Sequence, residues 1–430
     1  MPLRLKFPPP LKILPRMLHG CADLRLAVVS PFVDRRHGTE RALAELLERL
    51  ARTYHCEIHL YANRVEDLSI NDSGRALPPG TGGIFWHKVP SVPGPHLLQF
   101  FCWLCLNRLW RWGHAFFRAT SFDLILSPGI NCSDADVIIV HAVFHRLREL
   151  AQEKVTPQSP GAGKLSRLHR RAYYAFLTAL ERRIYTNPKV SLAAVSQRTA
   201  ALLAGYFQRQ EVRVIPNAVD PAQFSSAIRL SRRSAARLRR NFQECDLVLL
   251  LIGNDWNNKG LSTILEALPK LADIPLKLLV VGNDDVSSWR PMASRMGVLD
   301  RCKWETACTD IIDAYAAADV YVSPSREDSF GMPVAEAMAC ALPVITSAFA
   351  GVSSLLHDGI DGFVLQDSRD AETLAKLLRM LFDQSELRSR VGEAAAKTAL
   401  EWTWDRNAAT VWDLLTEVSA KKHSARVLQG

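Results

Sequence analysis

The sequence predicts a parallel α/β protein of two domains, and three observations carry that prediction. Its 430 residues are enough for two domains of ordinary size, each with its own core. Short β-branched strands alternate with helical patterns from about residue 24 to the end, which marks a parallel sheet covered by helices. The alternation is interrupted by an arginine-rich connection between Asp220 and Asn241 and then restarts. Apolar residues at 48% and charged residues at 23% belong to a folded chain, not a disordered one.

Residues 24–30 (LRLAVVS) read as the first strand and 31–38 as a loop, with Thr39 as the N-cap of a helix. That helix places Ala42, Leu43, Leu46, Leu47 and Leu50 on one stripe. Strands follow at 57–62, 123–127 and 137–140, the last ending at His141. A Pro/Gly/Ser surface loop spans 156–163, a basic helix 165–185, and strands 191–195 and 212–215 close the first half. The connection carries Arg229, Arg232, Arg233, Arg237, Arg239 and Arg240 and reads as a solvated linker helix, in preference to a nucleic-acid contact. The second half has strands at 247–252, 276–281, 319–323 and 343–346, and a helix at 261–271. Residues 371–418 are mostly helical.

No apolar run is long enough to span a bilayer. Pro8, Pro9, Pro10 and Pro15 interrupt the apolar residues of the first 22, which therefore read as a flexible basic tail and not as a secretion signal. Nine scattered cysteines lack metal-site spacing and point to a reducing, cytoplasmic setting. The one C-x-x-C, Cys102 and Cys105, reads as packing in a buried helix. That helix, residues 96–118, is dense in Trp, Phe, Leu and Arg, spread over more than one face. The spread favours a core helix over an interfacial one, with the Trp110 to Trp112 end free to meet lipid headgroups. A net charge of +9 calls for an anionic partner: nucleic acid, acidic lipid or a nucleotide diphosphate.

The most informative segment is VYVSPSREDSFGMPVAEAMA, residues 320–339. A strand runs into a loop containing Gly331 and then into a helix that opens with Pro333. The amides of Phe330, Gly331 and Met332 then sit at a positive helix end, a ready site for a diphosphate. Asp328 precedes the turn and Glu336 follows eight positions later, where a carboxylate can accept from a vicinal diol such as a ribose. Lys259 follows the strand 247–252, at the sheet edge where ligands bind in open α/β folds, and can offset charge on a leaving diphosphate. Gly38, in the loop after the first strand, lets the backbone approach a ligand. That loop lacks G-x-G-x-x-G, which argues against a nicotinamide cofactor. His141 and His145 make an H-x-x-x-H spacing, but no third zinc ligand is evident.

The 320–339 segment resembles the E-x7-E signature of the family-4 retaining glycosyltransferases. The likeness extends over most of the chain through Ala193-Ala-Val-Ser196, residues 214–220 (VIPNAVD) with Phe224, Lys259-Gly-Leu261, residues 316–320 (AAADV), Leu342-Pro-Val344, Gly351 and residues 358–362 (DGIDG). It implies two facing Rossmann-like domains, the GT-B fold, with a deep cleft between them. An acceptor domain would span 23–225, a nucleotide-sugar domain 226–400, and a helix over 401–430 would return to the first domain. It further implies a retaining hexosyl transfer from a UDP- or GDP-sugar to a glycan or lipid-linked acceptor, without metal or other cofactor, in cell-surface polysaccharide or glycolipid synthesis. The site residues it implies are Lys259 and the Ser329, Phe330, Gly331 and Met332 turn on the diphosphate, and Glu336 on the ribose. Asp328 or Glu327 would hold sugar hydroxyls, and His141 would lie beside the sugar. Three positions depart from the pattern: Asp328 where Glu is usual, Asn254 near a frequent arginine, and Ser354 where Glu is common. A nucleotide-sugar epimerase and a non-catalytic sugar-nucleotide-binding module are the competing readings. The expected location is cytoplasmic, peripheral on the inner face of the cell membrane and in contact with anionic lipid, with nucleic acid disfavoured.

Overall fold

The computed structural model describes residues 24–71, 82–118, 121–152, 164–307 and 310–427. The basic tail expected over 1–22 and the loop expected over 156–163 lie outside them. The first half runs β1 (Arg25–Val29), β2 (Phe32–Val33), α1 (Gly38–Thr53), β3 (Glu57–Ala62), β4 (Arg64–Val65), β5 (Gly83–Lys88) and α2 (His96–Arg118). It continues through β6 (Leu124–Pro128), β7 (Val137–Val140), α3 (Phe144–Gln152), α4 (Lys164–Tyr185), β8 (Ser191–Ala194), α5 (Gln197–Phe207) and β9 (Arg213–Val214). Seven of these strands form a parallel sheet in the order β5-β3-β1-β6-β7-β8-β9. Helices cover both faces, so inner strands such as β7 (VIIV) are apolar throughout instead of alternating.

The second half runs α6 (Ser226–Arg239), β10 (Leu247–Ile252), α7 (Leu261–Ala267), β11 (Leu276–Val281), α8 (Val286–Arg295), β12 (Cys302–Glu305) and α9 (Ile312–Ala317). Then come β13 (Val320–Ser323), α10 (Met332–Ala339), β14 (Val344–Ser347), β15 (Phe363–Leu365), α11 (Ala371–Asp383), α12 (Ser385–Ala399) and α13 (Trp404–Val427). Its six strands are also parallel, in the order β12-β11-β10-β13-β14-β15. The α/β, two-domain expectation therefore holds.

Three local expectations change. The helix start is not capped by Thr39: α1 begins at Gly38 with His37 as its N-cap. The cause is Asp34, whose carboxylate accepts the amides of Arg36 (2.8 Å) and His37 (3.0 Å) and sets the chain direction earlier. The arginine-rich connection is not a solvated linker. Arg237 on α6 is buried and donates to the Ala317 carbonyl (3.1 Å), to Asp319 (3.0 Å) and to the Asp246 carbonyl (2.9 Å). Arg233 adds the Ala318 carbonyl and Asp319. The carboxyl end of α9 leaves carbonyls without helical partners, and these guanidinium groups satisfy them. Finally, α2 is not buried all round. Trp103, Asn107 and Arg111 face inward, with Arg111 paired to Asp134 at 2.7 Å, but Leu98, Phe101, Leu109 and Trp112 are exposed. Cys105 is exposed as well, and Cys102 is half-buried. One face of the helix is enough to cover the sheet.

The last helix, α13, lies against the first half. Asp405 pairs with Arg49 on α1 (2.7 Å), Lys422 with Asp136 (2.8 Å), and Trp412 stacks on Tyr54 with centroids 4.9 Å apart.

Candidate active site between the two sheets

The loop from β13 to α10 reaches its helix through Gly331 at φ +96°, a left-handed conformation that a side chain disfavours. A Cβ there would also press on Val352 at 3.2 Å. The Phe330 amide donates to Asp328 Oδ1 at 3.3 Å, whereas the amides of Gly331 and Met332 have no acceptor among the described residues. Two donors thus remain at the positive end of α10.

Lys259, just before α7, ion-pairs with Asp328 Oδ2. Its stem lies over the end of β10, where Gly253 leaves room: a Cβ there would come within 2.9 Å of the Lys259 side chain. Asn258 holds the loop by its backbone, donating to the Glu327 carbonyl (2.7 Å) and accepting the Glu327 amide (3.1 Å). Asn254 is exposed, and its side-chain oxygen accepts the Asn283 amide at 3.0 Å.

The two neighbouring acids point to different places. Asp328 faces Lys259, but the buried Glu327 faces the first domain. There it accepts from Arg198 Nε at 2.7 Å and Arg146 Nε at 3.1 Å. Glu336, 3% exposed, accepts the Tyr315 hydroxyl at 2.6 Å and ion-pairs with Arg41 of α1. That carboxylate raises the pKa of the Arg41 guanidinium, and burial raises the Tyr315 phenol well above its ordinary value. Ser196, which caps α5, donates to the Ser329 carbonyl at 2.6 Å. The place a Cβ on Gly38 would take is 3.9 Å from the Met332 side chain. The amino ends of α1 and α5 thus meet the acidic loop across the cleft.

His141 ends β7 and lines a cavity of about 20 Å³ with Leu43, Leu46, Asn217, Trp404 and Asn407. Burial pushes its imidazole down to about 4, so it is neutral near pH 7. Its ring has no hydrogen-bond partner among the described residues. His145 is turned to Glu181 (2.6 Å), and no cluster of three His, Cys, Asp or Glu among the described residues is placed to hold a metal.

Arg41, Arg146, Arg198, Asn258 and Tyr315 escaped the sequence reading. Each meets its acid only through the fold: Arg41 lies 295 residues from Glu336, and Arg146 lies 181 from Glu327. No local pattern marks such contacts.

Comparison with known proteins places the chain in a family. The Glycosyltransferase Family 4 profile matches residues 36–223, and the Glycosyl transferases group 1 profile matches residues 233–398. The lipopolysaccharide glucosyltransferase WaaG of Escherichia coli (strain K12) is 28% identical over 253 residues, 57% of this chain and 65% of that protein. A D-inositol 3-phosphate glycosyltransferase of Thermomonospora curvata is 32% identical over 223 residues, 48% of this chain and 51% of that protein. These matches span about half to two thirds of the curated relatives' length. Among solved structures, WaaG superposes with a TM-score of 0.71 at 22% identity, covering 91% of this chain and 99% of WaaG. Anabaena HepE in complex with UDP-glucose gives 0.64 at 16% identity, covering 92% of this chain and 100% of HepE. At these identities the structural likeness establishes the fold, which is GT-B. The two profiles together account for most of the sequence, and the chain belongs to the family-4 glycosyltransferases.

Proposed function

We propose that this chain transfers a hexosyl group, with retained anomeric configuration and without a metal, from a nucleoside-diphosphate sugar to a glycan or lipid-linked acceptor. The observation that carries the reading is the convergence of Lys259, Asp328, Glu336 and the amino end of α10 on one cleft wall facing α1. In this reading residues 226–400 bind the donor, 23–225 the acceptor, and 401–430 the helix that ties the two. Lys259 and the Gly331 and Met332 amides take the diphosphate and stabilise the charge that builds on the departing phosphate oxygen. The anomeric carbon becomes oxocarbenium-like as that bond breaks. Asp328 then exchanges Lys259 for sugar hydroxyls, and Glu336 exchanges Arg41 for the ribose diol. A neutral His141 positions the sugar without adding positive charge beside the oxocarbenium.

The UDP-glucose held by HepE and the glucosyltransferase name of WaaG support UDP-glucose as the first donor to try. WaaG's name as a lipopolysaccharide glucosyltransferase supports a lipid-anchored saccharide as the acceptor class, and such an acceptor would put the work at the inner face of a membrane. Incubating the protein with UDP-, GDP- and ADP-sugars and reading donor hydrolysis by mass spectrometry tests the reading. One donor class should be consumed, and consumption should persist in excess EDTA. Loss with EDTA that manganese restores refutes the metal-free phosphate site, and an isomerised donor formed without acceptor would identify an epimerase instead.

A further inference from the structure

The acid assigned to the sugar, Asp328, is flanked on both sides by bonds from the other domain. Its own backbone is held within the second domain: the amide donates to the Phe349 carbonyl at 3.0 Å, and the carbonyl accepts the Gly351 amide at 2.8 Å. One residue earlier, Glu327 accepts both prongs of Arg198 on α5, Nε at 2.7 Å and Nη2 beside it, and Nε of Arg146 on α3 at 3.1 Å. One residue later, the Ser329 carbonyl accepts the Ser196 hydroxyl at 2.6 Å. Helices α3 and α5 follow β7 and β8, so these contacts all come from the first domain. The fit is close. Ser196 is buried, and a Cβ on Gly351 would fall 2.1 Å from the Ser329 carbonyl oxygen and 2.6 Å from the Ser196 Cβ. Arg198 also covers the ring of Phe349 at 4.9 Å, the residue whose carbonyl holds the Asp328 amide.

Successive side chains of an extended segment project oppositely, so whatever fixes Glu327 toward Arg198 also fixes Asp328 toward Lys259 and the cleft. The groups assigned to the rest of the nucleotide have other supports. Glu336 is held by Tyr315 and Arg41, and the α10 amides are set by the turn at Gly331. We propose that Arg198, helped by Arg146, is a positioning residue for the donor sugar, acting through Glu327 to aim the Asp328 carboxylate. A two-pronged, charge-assisted contact fixes direction as well as distance, which a single bond from a flexible lysine does not. Because both arginines belong to the first domain, the acid is aimed only while the two domains meet. An intact donor is therefore gripped in the closed cleft, and a nucleoside diphosphate has no such requirement. This role rests on the assignment of Asp328 to the sugar hydroxyls.

Calorimetric titration with UDP, beside steady-state hydrolysis of UDP-glucose or the matching pair from the donor screen, is the test. It is run on Arg198→Gln, Asp328→Asn and the double variant. Arg198→Gln should bind the nucleoside diphosphate as the wild-type protein does, yet lose roughly tenfold in kcat/KM for the donor. Arg198→Lys, which keeps the charge and protects the fold, should show the same split with a smaller loss. The double variant should be no slower than Asp328→Asn alone, because Arg198 then has nothing left to aim. Losses that multiply in the double variant overturn the proposal. So does nucleoside diphosphate binding that weakens in step with hydrolysis, the mark of a merely structural arginine. Wild-type hydrolysis in Arg198→Gln beside an impaired Asp328→Asn overturns it while leaving the sugar-holding acid in place. Wild-type hydrolysis in Asp328→Asn would remove that assignment and the proposal with it.

Discussion

Asp328 and Glu327 are adjacent acids with opposite surroundings, and replacing each by its amide separates their work. Asp328→Asn removes the carboxylate that faces Lys259 and the cleft. If that carboxylate holds sugar hydroxyls, its loss costs a charge-assisted hydrogen bond of about 1.5–3 kcal/mol, roughly tenfold to hundredfold in kcat/KM. The melting temperature should move little, because the side chains of both Asp328 and Lys259 keep some solvent contact, at 16% and 17%. Glu327→Gln should do something else. The Glu327 side chain is 7% exposed between Arg198 and Arg146, so its removal strands two guanidinium groups at the meeting of the domains. Breaking a buried pair costs about 3–5 kcal/mol, and the partial exposure of both arginines brings the expectation to about 2–3. That loss should appear as a lower melting temperature and weaker domain closure. Steady-state kinetics on one donor, beside calorimetric melting, reads both. A normal kcat/KM in Asp328→Asn, with a crippled but equally stable Glu327→Gln, would refute the assignment and put the sugar-binding acid at Glu327.

Arg41→Gln should tighten nucleoside diphosphate binding severalfold by titration calorimetry, since the ribose no longer competes with a guanidinium for Glu336; weaker binding would mean that Arg41 serves the nucleotide. His141→Ala should depress turnover strongly and leave nucleoside diphosphate binding intact, because β7 belongs to the other sheet; near-wild-type turnover would reduce His141 to a core residue. The same histidine should make stability depend on pH. Its folded value of about 4 lies below the ordinary 6.5, so the folded state binds fewer protons between those values. Stability contributed at pH 7 is then lost as pH falls from about 6.5 toward 4, with a ceiling of about 3 kcal/mol. Denaturant titrations at pH 7 and pH 5 should show a smaller loss in His141→Gln than in the wild-type chain, and equal losses would contradict the burial.

What the sequence by itself determined is whatever short-range pattern records. The inner strands are legible because a parallel sheet covered on both faces demands largely apolar runs, and β7, β10 and β11 occupy the expected residues. The strands that escaped notice include β5, β12 and β15, three of the four edges of the two large sheets, where half-solvated positions tolerate sequences such as GIFWHK and CKWE. Pro333 and Gly331 announced the turn into α10 because backbone geometry restricts those positions to few residue types. The tertiary structure alone decided which acid faces which cation. The eight-residue register from Glu336 singles out Asp328 over Glu327, but the partner of each appears only in the fold, where successive residues of an extended loop project to opposite sides, one toward Arg198 and the other toward Lys259. It also decided that Arg237 of α6 is buried and Arg233 partly so, because only the packed α9 supplies the unpaired carbonyls they satisfy, and that α2 covers its sheet with one face and leaves the other exposed.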